Sequence, residues 1–231
     1  MSACRHTCCA GWEIDIDEES FCRYREDGLP YISEEGTPHF ILTEEERCPF
    51  LTPENLCSLI LTHGEGYLCQ ICTDHPRFRN FWTGITEVGI GLSCEAAASI
   101  ILGRKAPMRL VAEEEGAIET AVEALPEDER YLWEVRDALF REAAALEDPM
   151  QARLAEYFIF RQIPDALYDG LLEERIRFVW ESVNRITELW ERLPVSSLEA
   201  FIEPARIYSE KTEYDPEKLQ EILRGLCSAV E

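Results

Sequence analysis

Apolar residues change their spacing twice along this chain of 231 residues. From Trp12 to Asp17 they alternate with acids, so that Trp12, Ile14 and Ile16 stand against Glu13, Asp15 and Asp17. That period of two predicts a short half-buried strand or extended segment. Asp17-Glu18-Glu19-Ser20 then reads as a helix start with acids in its first turn, followed by Phe21 and Tyr24. Gly28, Pro30, Gly36 and Pro38 mark residues 27–47 as a loop, with a brief strand at 39–42. Pro53-Glu54-Asn55 predicts a tight turn, and residues 58–63 one or two helical turns closed by Gly64 and Gly66. Alternation returns at 78–82 and continues after Gly84 through 85–92, the pattern of a short hairpin. Ser93 is the expected N-cap of a helix running to Leu102, stopped by Gly103 and Pro107.

Beyond that point the spacing becomes helical. Pro126, Pro149 and Pro216 stand where a first-turn proline is expected, the last two behind Asp148 and Asp215. Ser196-Ser197-Leu198-Glu199 has the reciprocal capping-box spacing. Leu132, Val135, Leu139 and Phe140 form one apolar stripe; Ile176, Val179, Val183, Ile186 and Leu189 form another. The predicted fold is therefore mostly α. A cysteine-rich, irregular α+β metal-binding unit over 1–105 is expected to pack on an all-helical unit over 106–231.

Composition narrows the function classes. A hydrophobic fraction of 46% and a charged fraction of 29% describe a globular chain. The net charge of -24 repels phosphate backbones, which argues against nucleic acid and favours a basic partner or a lysine-rich substrate. The same charge also serves solubility alone. Neither a secretory leader nor an apolar run long enough to span a bilayer is visible, so a cytoplasmic protein without membrane contact is expected.

Ten cysteines change the picture. Cys4, Cys8 and Cys9 cluster near the start, followed by Cys22, Cys48, Cys57, Cys69, Cys72 and Cys94; only Cys227 lies in the helical half. In a reducing compartment such clustering points to metal or catalysis, whereas in a secreted protein the same residues would pair. Cys48 and Cys57 flank a tight turn, and Cys69 and Cys72 form a C-x2-C pair, both ways for one loop to present two thiolates to zinc or an iron–sulfur cluster. Radical-type S-adenosylmethionine enzymes use C-x3-C-x2-C, but here the third position falls on Gly11. Adjacent Cys8 and Cys9 point in different directions, so one binds while the other packs, or two metals are held. Cys22 and Cys227 suit a simple core-filling role.

Taken together, Cys4-x3-Cys8-Cys9-Ala10-Gly11-Trp12 with Ile16-Asp17, Cys48-Pro49-Phe50-Leu51 to Cys57, Cys72-x2-His75-Pro76-Arg77 and Leu92-Ser93-Cys94-Glu95-Ala96-Ala97 resemble the bacterial flagellin lysine N-methylase family. That family is related to CxxCxxCC-type zinc- or iron-chelating proteins. The segment 153–161 resembles its helical carboxyl-terminal signature. The resemblance implies methyl transfer from S-adenosylmethionine to flagellin lysines and a cysteine-held metal, a [4Fe-4S] cluster or alternatively zinc. It nominates Cys4, Cys8, Cys9, Cys48, Cys57, Cys72 and Cys94 as ligands. The family carries a further cysteine upstream of the Cys4 position, so a missing upstream ligand is expected. It also commonly has tyrosine where His75 stands here, which makes His75 a candidate added ligand.

Methyl transfer itself has thin support in the residues. No strand–GxGxxG–helix fingerprint occurs. Lysine must lose its proton before it can attack a methyl group, so Tyr67, Glu87, Glu95 and Tyr157 are candidates by type. Arg77 and Arg79 could clamp a carboxylate, and His6 could hydrogen-bond near the ligands. A non-catalytic metal-binding protein and a redox protein are the alternatives from other classes.

Overall fold

The computed structural model describes residues 9–114, 116–194 and 197–227, so Cys4, His6 and Cys8 lie outside the described residues. The chain is mostly helical and divides into two compact units. The first takes the chain up to Arg77 together with Cys94–Ala96, and the second takes Phe78–Ser93 and the chain from Ala97 onward.

The first unit is built on the alternating segment. Ile14 and Ile16 are buried while Glu13 and Asp15 face solvent, as the period of two requires. The Ile16 N–H donates to the Pro38 carbonyl (2.7 Å) and the Phe40 N–H to the Ile14 carbonyl (3.1 Å). Strand β2 (His39–Phe40) pairs antiparallel with β1 (Ile32–Ser33), a partner that the glycine- and proline-rich sequence had hidden. Helix α1 (Glu18–Glu26) follows, then α2 (Ser58–His63), a 3-10 turn (Glu65–Tyr67) and α3 (Gln70–Asp74). The buried faces of α1, α2 and the 3-10 turn meet in a core that includes Ile14, Ile16, Tyr24, Phe40, Phe50, Leu59 and Tyr67. Aromatic contacts run through it from Tyr67 to Tyr24 to Phe40 to Phe50, with ring centroids 5.0–5.8 Å apart. Each such side chain contributes about 1.5–3 kcal/mol on burial.

Asp17 ties two helices together. One carboxylate oxygen accepts the Ser20 N–H (3.0 Å) as the N-cap of α1, and the other accepts the Gln70 N–H (2.7 Å) at the start of α3. Burial pushes this carboxyl up, but the Gln70 and Ser20 N–H bonds outweigh it and hold the group below its ordinary 3.8. Asp17→Ala should cost about 1–2 kcal/mol in urea unfolding, and Asp17→Asn less, because it keeps one acceptor. A folded pKa below the unfolded one means that the contribution is intact above pH 3.8 and is lost as pH falls through the lower folded value. A pH-independent difference between wild type and Asp17→Ala across that range would refute the double cap.

The second unit begins with the hairpin of β3 (Arg77–Trp82) and β4 (Ile85–Ile90), turned at Thr83-Gly84 with Gly84 at φ +76°. Then come α4 (Glu95–Gly103), α5 (Ala117–Glu123), α6 (Glu127–Ala144), α7 (Pro149–Gln162), α8 (Ala166–Asp169), α9 (Leu172–Glu191), α10 (Leu198–Thr212) and α11 (Pro216–Cys227). Helix α7 is the centre, since every residue from Leu154 to Phe160 is buried, on all sides of the helix. A helix buried on every side must be enclosed, and here α6 and α9 pack against it while α10 and α11 pack on α9; the one charge in the run, Glu156, is paired with Arg104 (2.7 Å). Asp148 caps α7 through the Met150 N–H (2.7 Å), with Pro149 in the first turn as its spacing predicts.

Three predicted helix starts differ. Helix α4 begins at Glu95, and the Ser93 hydroxyl, buried, has no hydrogen-bond partner among the described residues, so it forms no cap. Pro126 is itself the N-cap of α6, in extended backbone (φ -51°, ψ 155°), and acids at 127–129 take the first turn. Helix α10 is capped by Ser197, which accepts the Ala200 N–H (3.2 Å). Glu199 then falls one position short of the reciprocal box.

Gly89 marks a close approach in β4. A Cβ there would collide with the Phe78 ring and reach 2.7 Å from Phe160 Cε1. Gly89→Ala should destabilise by about 1–3 kcal/mol, as overpacking does. The second change Phe78→Leu should recover part of that loss; an additive double variant would mean that the strand fails for another reason.

Candidate functional site

Main-chain pairing brings distant cysteines together in the first unit. The Gly11 N–H donates to the Glu46 carbonyl (2.7 Å), the Cys48 N–H donates to the Cys9 carbonyl (2.8 Å), and Ala10 bridges Arg47 antiparallel. The segment after Cys48 doubles back at Asn55 (φ +59°), with Leu51 bridged to Cys57 and the Thr52 N–H donating to the Leu56 carbonyl (2.8 Å). This is the turn expected between the two thiols, and Asn tolerates its left-handed backbone. Cys69 and Cys72 sit one helical turn apart at the start of α3, Cys69 as its N-cap residue.

The C-x2-C spacing sets the Cys69 and Cys72 thiols one helical turn apart, where they interact with each other. Donation from Cys72 pulls Cys69 below the ordinary thiol value, and it holds Cys72 far above it. Burial adds to the rise at Cys72, as do the neighbouring charges of Cys69, Cys48 and Cys9. Three thiols from three chain segments, Cys9, Cys48 and Cys69, are thus neighbours of Cys72 in the first unit. Cys48 and Cys69 are buried in the core, and Cys9, Cys57 and Cys72 pack against it.

Soft sulfur donors of this kind suit zinc or an iron–sulfur cluster, so the chemistry of the set fits a thiolate-bound metal. Among the described residues, however, no group of three or more His, Cys, Asp or Glu stands in positions to hold an ion. Of the ligand candidates, Cys9 and Cys48 are joined through their main chains, and Cys72 packs against the same core. Cys57 lies against the same core, and Cys94, half-buried, groups with the first unit while the body of α4 does not. Cys22 is exposed. Cys69 was absent from the expected ligand set, although its C-x2-C spacing to Cys72 was the signal that could have included it.

The other candidates are committed to structure. Tyr67 donates its hydroxyl to Asp27 (2.7 Å), and burial followed by that bond raises its pKa to about 12. Arg77 donates to the Thr73 carbonyl (3.3 Å) at the end of α3, where the His75 N–H closes the helix on Ile71 (3.0 Å). Arg79 is exposed, and Glu95 opens α4 half-buried. In the second unit Glu87 and Tyr157 line one cavity. Glu87 is taken by a bidentate pair with Arg136 (2.7 and 2.8 Å), by Trp82 Nε1 (3.0 Å) and by Asn80 Nδ2 (3.2 Å). Tyr157 donates to Glu213 (2.9 Å) and accepts from the Leu92 N–H (3.2 Å), and burial pushes its hydroxyl well above the usual value. Neither is placed to take a proton from an incoming amine. Glu87 is the only carboxylate among the cavity's described lining residues, and its charge is neutralised by Arg136.

The chain is similar to the lysine-N-methylase of Salmonella typhimurium, 27% identical over 123 residues, covering 47% of this chain and 31% of that protein. The lysine-N-methylase of Salmonella choleraesuis matches to the same extent. The flagellar biosynthetic protein FliU of Salmonella muenchen is 25% identical over 123 residues, 47% of this chain and 73% of that protein. The match thus spans about a third of the length of the two lysine-N-methylases (31%). No protein-family model matches the chain, and no solved structure does. No described helix is long and apolar enough to cross a membrane.

Proposed function

We propose that this chain acts in flagellin lysine methylation, as a cysteine-ligated metalloprotein of the flagellin lysine N-methylase type. The observation that carries the reading is the similarity to two lysine-N-methylases and FliU; the placement of Cys9, Cys48, Cys69 and Cys72 in or against one hydrophobic core of the first unit supports it. Those thiols would hold the metal, a [4Fe-4S] cluster with zinc as the alternative, and Cys57, Cys94, Cys4 and Cys8 are the further candidates. The bound metal would supply a fixed point joining the chain segments at 9, 48 and 69–72, so that its binding energy is also folding energy. S-adenosylmethionine would supply the methyl group, and flagellin would be the protein substrate.

A second reading is favoured by the depth of the thiols. Cys48 and Cys69 lie within the hydrophobic core, where a metal serves as an internal staple of a non-catalytic protein. Elemental and spectroscopic analysis of anaerobically purified protein, followed by calorimetric titration with S-adenosylmethionine, separates the two. The methylase reading expects a metal at stoichiometric amount and saturable cofactor binding. A metal-loaded chain that does not bind the cofactor would leave the structural reading standing. Cys72→Ser should lose the metal; full retention would overturn the assigned ligand set.

A further inference from the structure

A cavity of about 690 Å³ opens in the second unit between β4, the segment 108–112, α4, α5 and the floor of Trp133 and Phe160. That volume lies in the range of small-molecule sites, which are concave and mostly apolar with a few placed polar groups. Three large apolar residues at its wall remain strongly exposed: Val88 (55%), Ile100 (62%) and Val111 (81%). Scattered exposed apolar residues need no explanation, but three on the rim of one cavity do.

The charges of the cavity are uneven. The Glu87 carboxylate is cancelled by the buried Arg136. Arg104 on the wall is paired with Glu156 (2.7 Å). Arg109 also lines the cavity, is exposed, and has no partner among the described residues. Within a chain of net charge -24, an unpaired guanidinium beside an apolar hollow is a local anion-attracting point. We propose that this cavity binds a small amphiphile with an apolar body and one carboxylate, the body against Ile101, Trp133 and Phe160 and the carboxylate on Arg109. Concavity and volume favour a small molecule over a polypeptide segment, which would need a longer groove. The proposal is independent of methyl transfer.

Isothermal titration of the full chain with decanoate, below its micelle concentration, tests this. Saturable binding of one decanoate per chain is expected. Arg109→Glu and Val88→Asp, both at exposed positions, should each weaken it roughly tenfold or more, the equivalent of losing one charge-assisted contact. Decanol should bind more weakly than decanoate to the wild type and be insensitive to Arg109→Glu. Unchanged circular dichroism in both variants ties the loss to the cavity. Absence of saturable decanoate binding overturns the proposal, as does binding indifferent to both substitutions. Displacement of decanoate by a short peptide carrying phenylalanine and aspartate, with tighter binding of the peptide, would also overturn it by showing a polypeptide dock. S-adenosylmethionine, whose positive groups meet no available carboxylate there, should not compete; competition by it overturns the assigned ligand chemistry.

Discussion

Replacing Arg136 by leucine is expected to lower the unfolding free energy by about 3–5 kcal/mol, the usual cost of stranding one half of a buried ion pair. Arg136 is fully buried in α6, its guanidinium 4.1 Å from the Trp133 ring centroid and 4.9 Å from that of Trp82. Both of its terminal nitrogens are spent on Glu87. After the substitution Glu87 keeps only the Trp82 and Asn80 donors, too few to hold a charge away from water. Glu87→Leu combined with Arg136→Leu should be milder than Arg136→Leu alone, because burying two apolar groups in place of a matched pair is close to neutral. What remains is the lost acceptor of Trp82, about 1–3 kcal/mol. Urea unfolding of the full cycle checks this; a double variant as unstable as the sum of the singles would show that the pair is not coupled.

Glu213→Leu is expected to cost a similar amount, about 3–5 kcal/mol, for the opposite reason. Here the acid is removed and its donors are left behind. The Glu213 side chain is fully buried at the end of α10, where it accepts from Tyr157 Oη (2.9 Å), Gln162 Nε2 (2.9 Å), Ser209 Oγ (2.6 Å) and Arg161 Nε (2.9 Å). Arg161 in turn lies over the Phe78 and Tyr214 rings, 4.4 and 4.8 Å from their centroids. The network ties α7 to α10. Glu213→Gln keeps acceptor capacity on one oxygen but drops the charge, and should cost less than leucine. Equal losses for glutamine and leucine would mean that shape alone, and not the charge, holds the network.

These two clusters explain what the sequence pattern could and could not convey. Local chemistry was legible: the alternation at Ile14 and Ile16, the helix start at Asp17, the Cys48–Cys57 turn, the hairpin and the Asp148-Pro149 helix start all arise from neighbours in sequence. Buried charge was not. A charged residue on a helix reads as a solvent face, so Arg136 interrupts the stripe of Leu132 and Leu139 without announcing that it is core. The acid that neutralises it, Glu87, is on a strand 49 residues earlier. Likewise the second cap made by Asp17 reaches Gln70 across 53 residues. The thiol cluster stood between these cases. Its residue types were plain, and the C-x2-C spacing of Cys69 and Cys72 already paired those two, but the approach of Cys9 to Cys48 depended on a main-chain pairing that no spacing rule reports.

The cluster and the similarity to lysine-N-methylases meet in one experiment. Anaerobically purified, metal-loaded protein is incubated with S-adenosylmethionine and unmodified flagellin, and the flagellin is digested and read by mass spectrometry. Methyl groups on flagellin lysines, absent when the cofactor is omitted and absent with the Cys72→Ser protein, are the result expected. Unmodified lysines in the presence of a fully metal-loaded wild-type chain would contradict it.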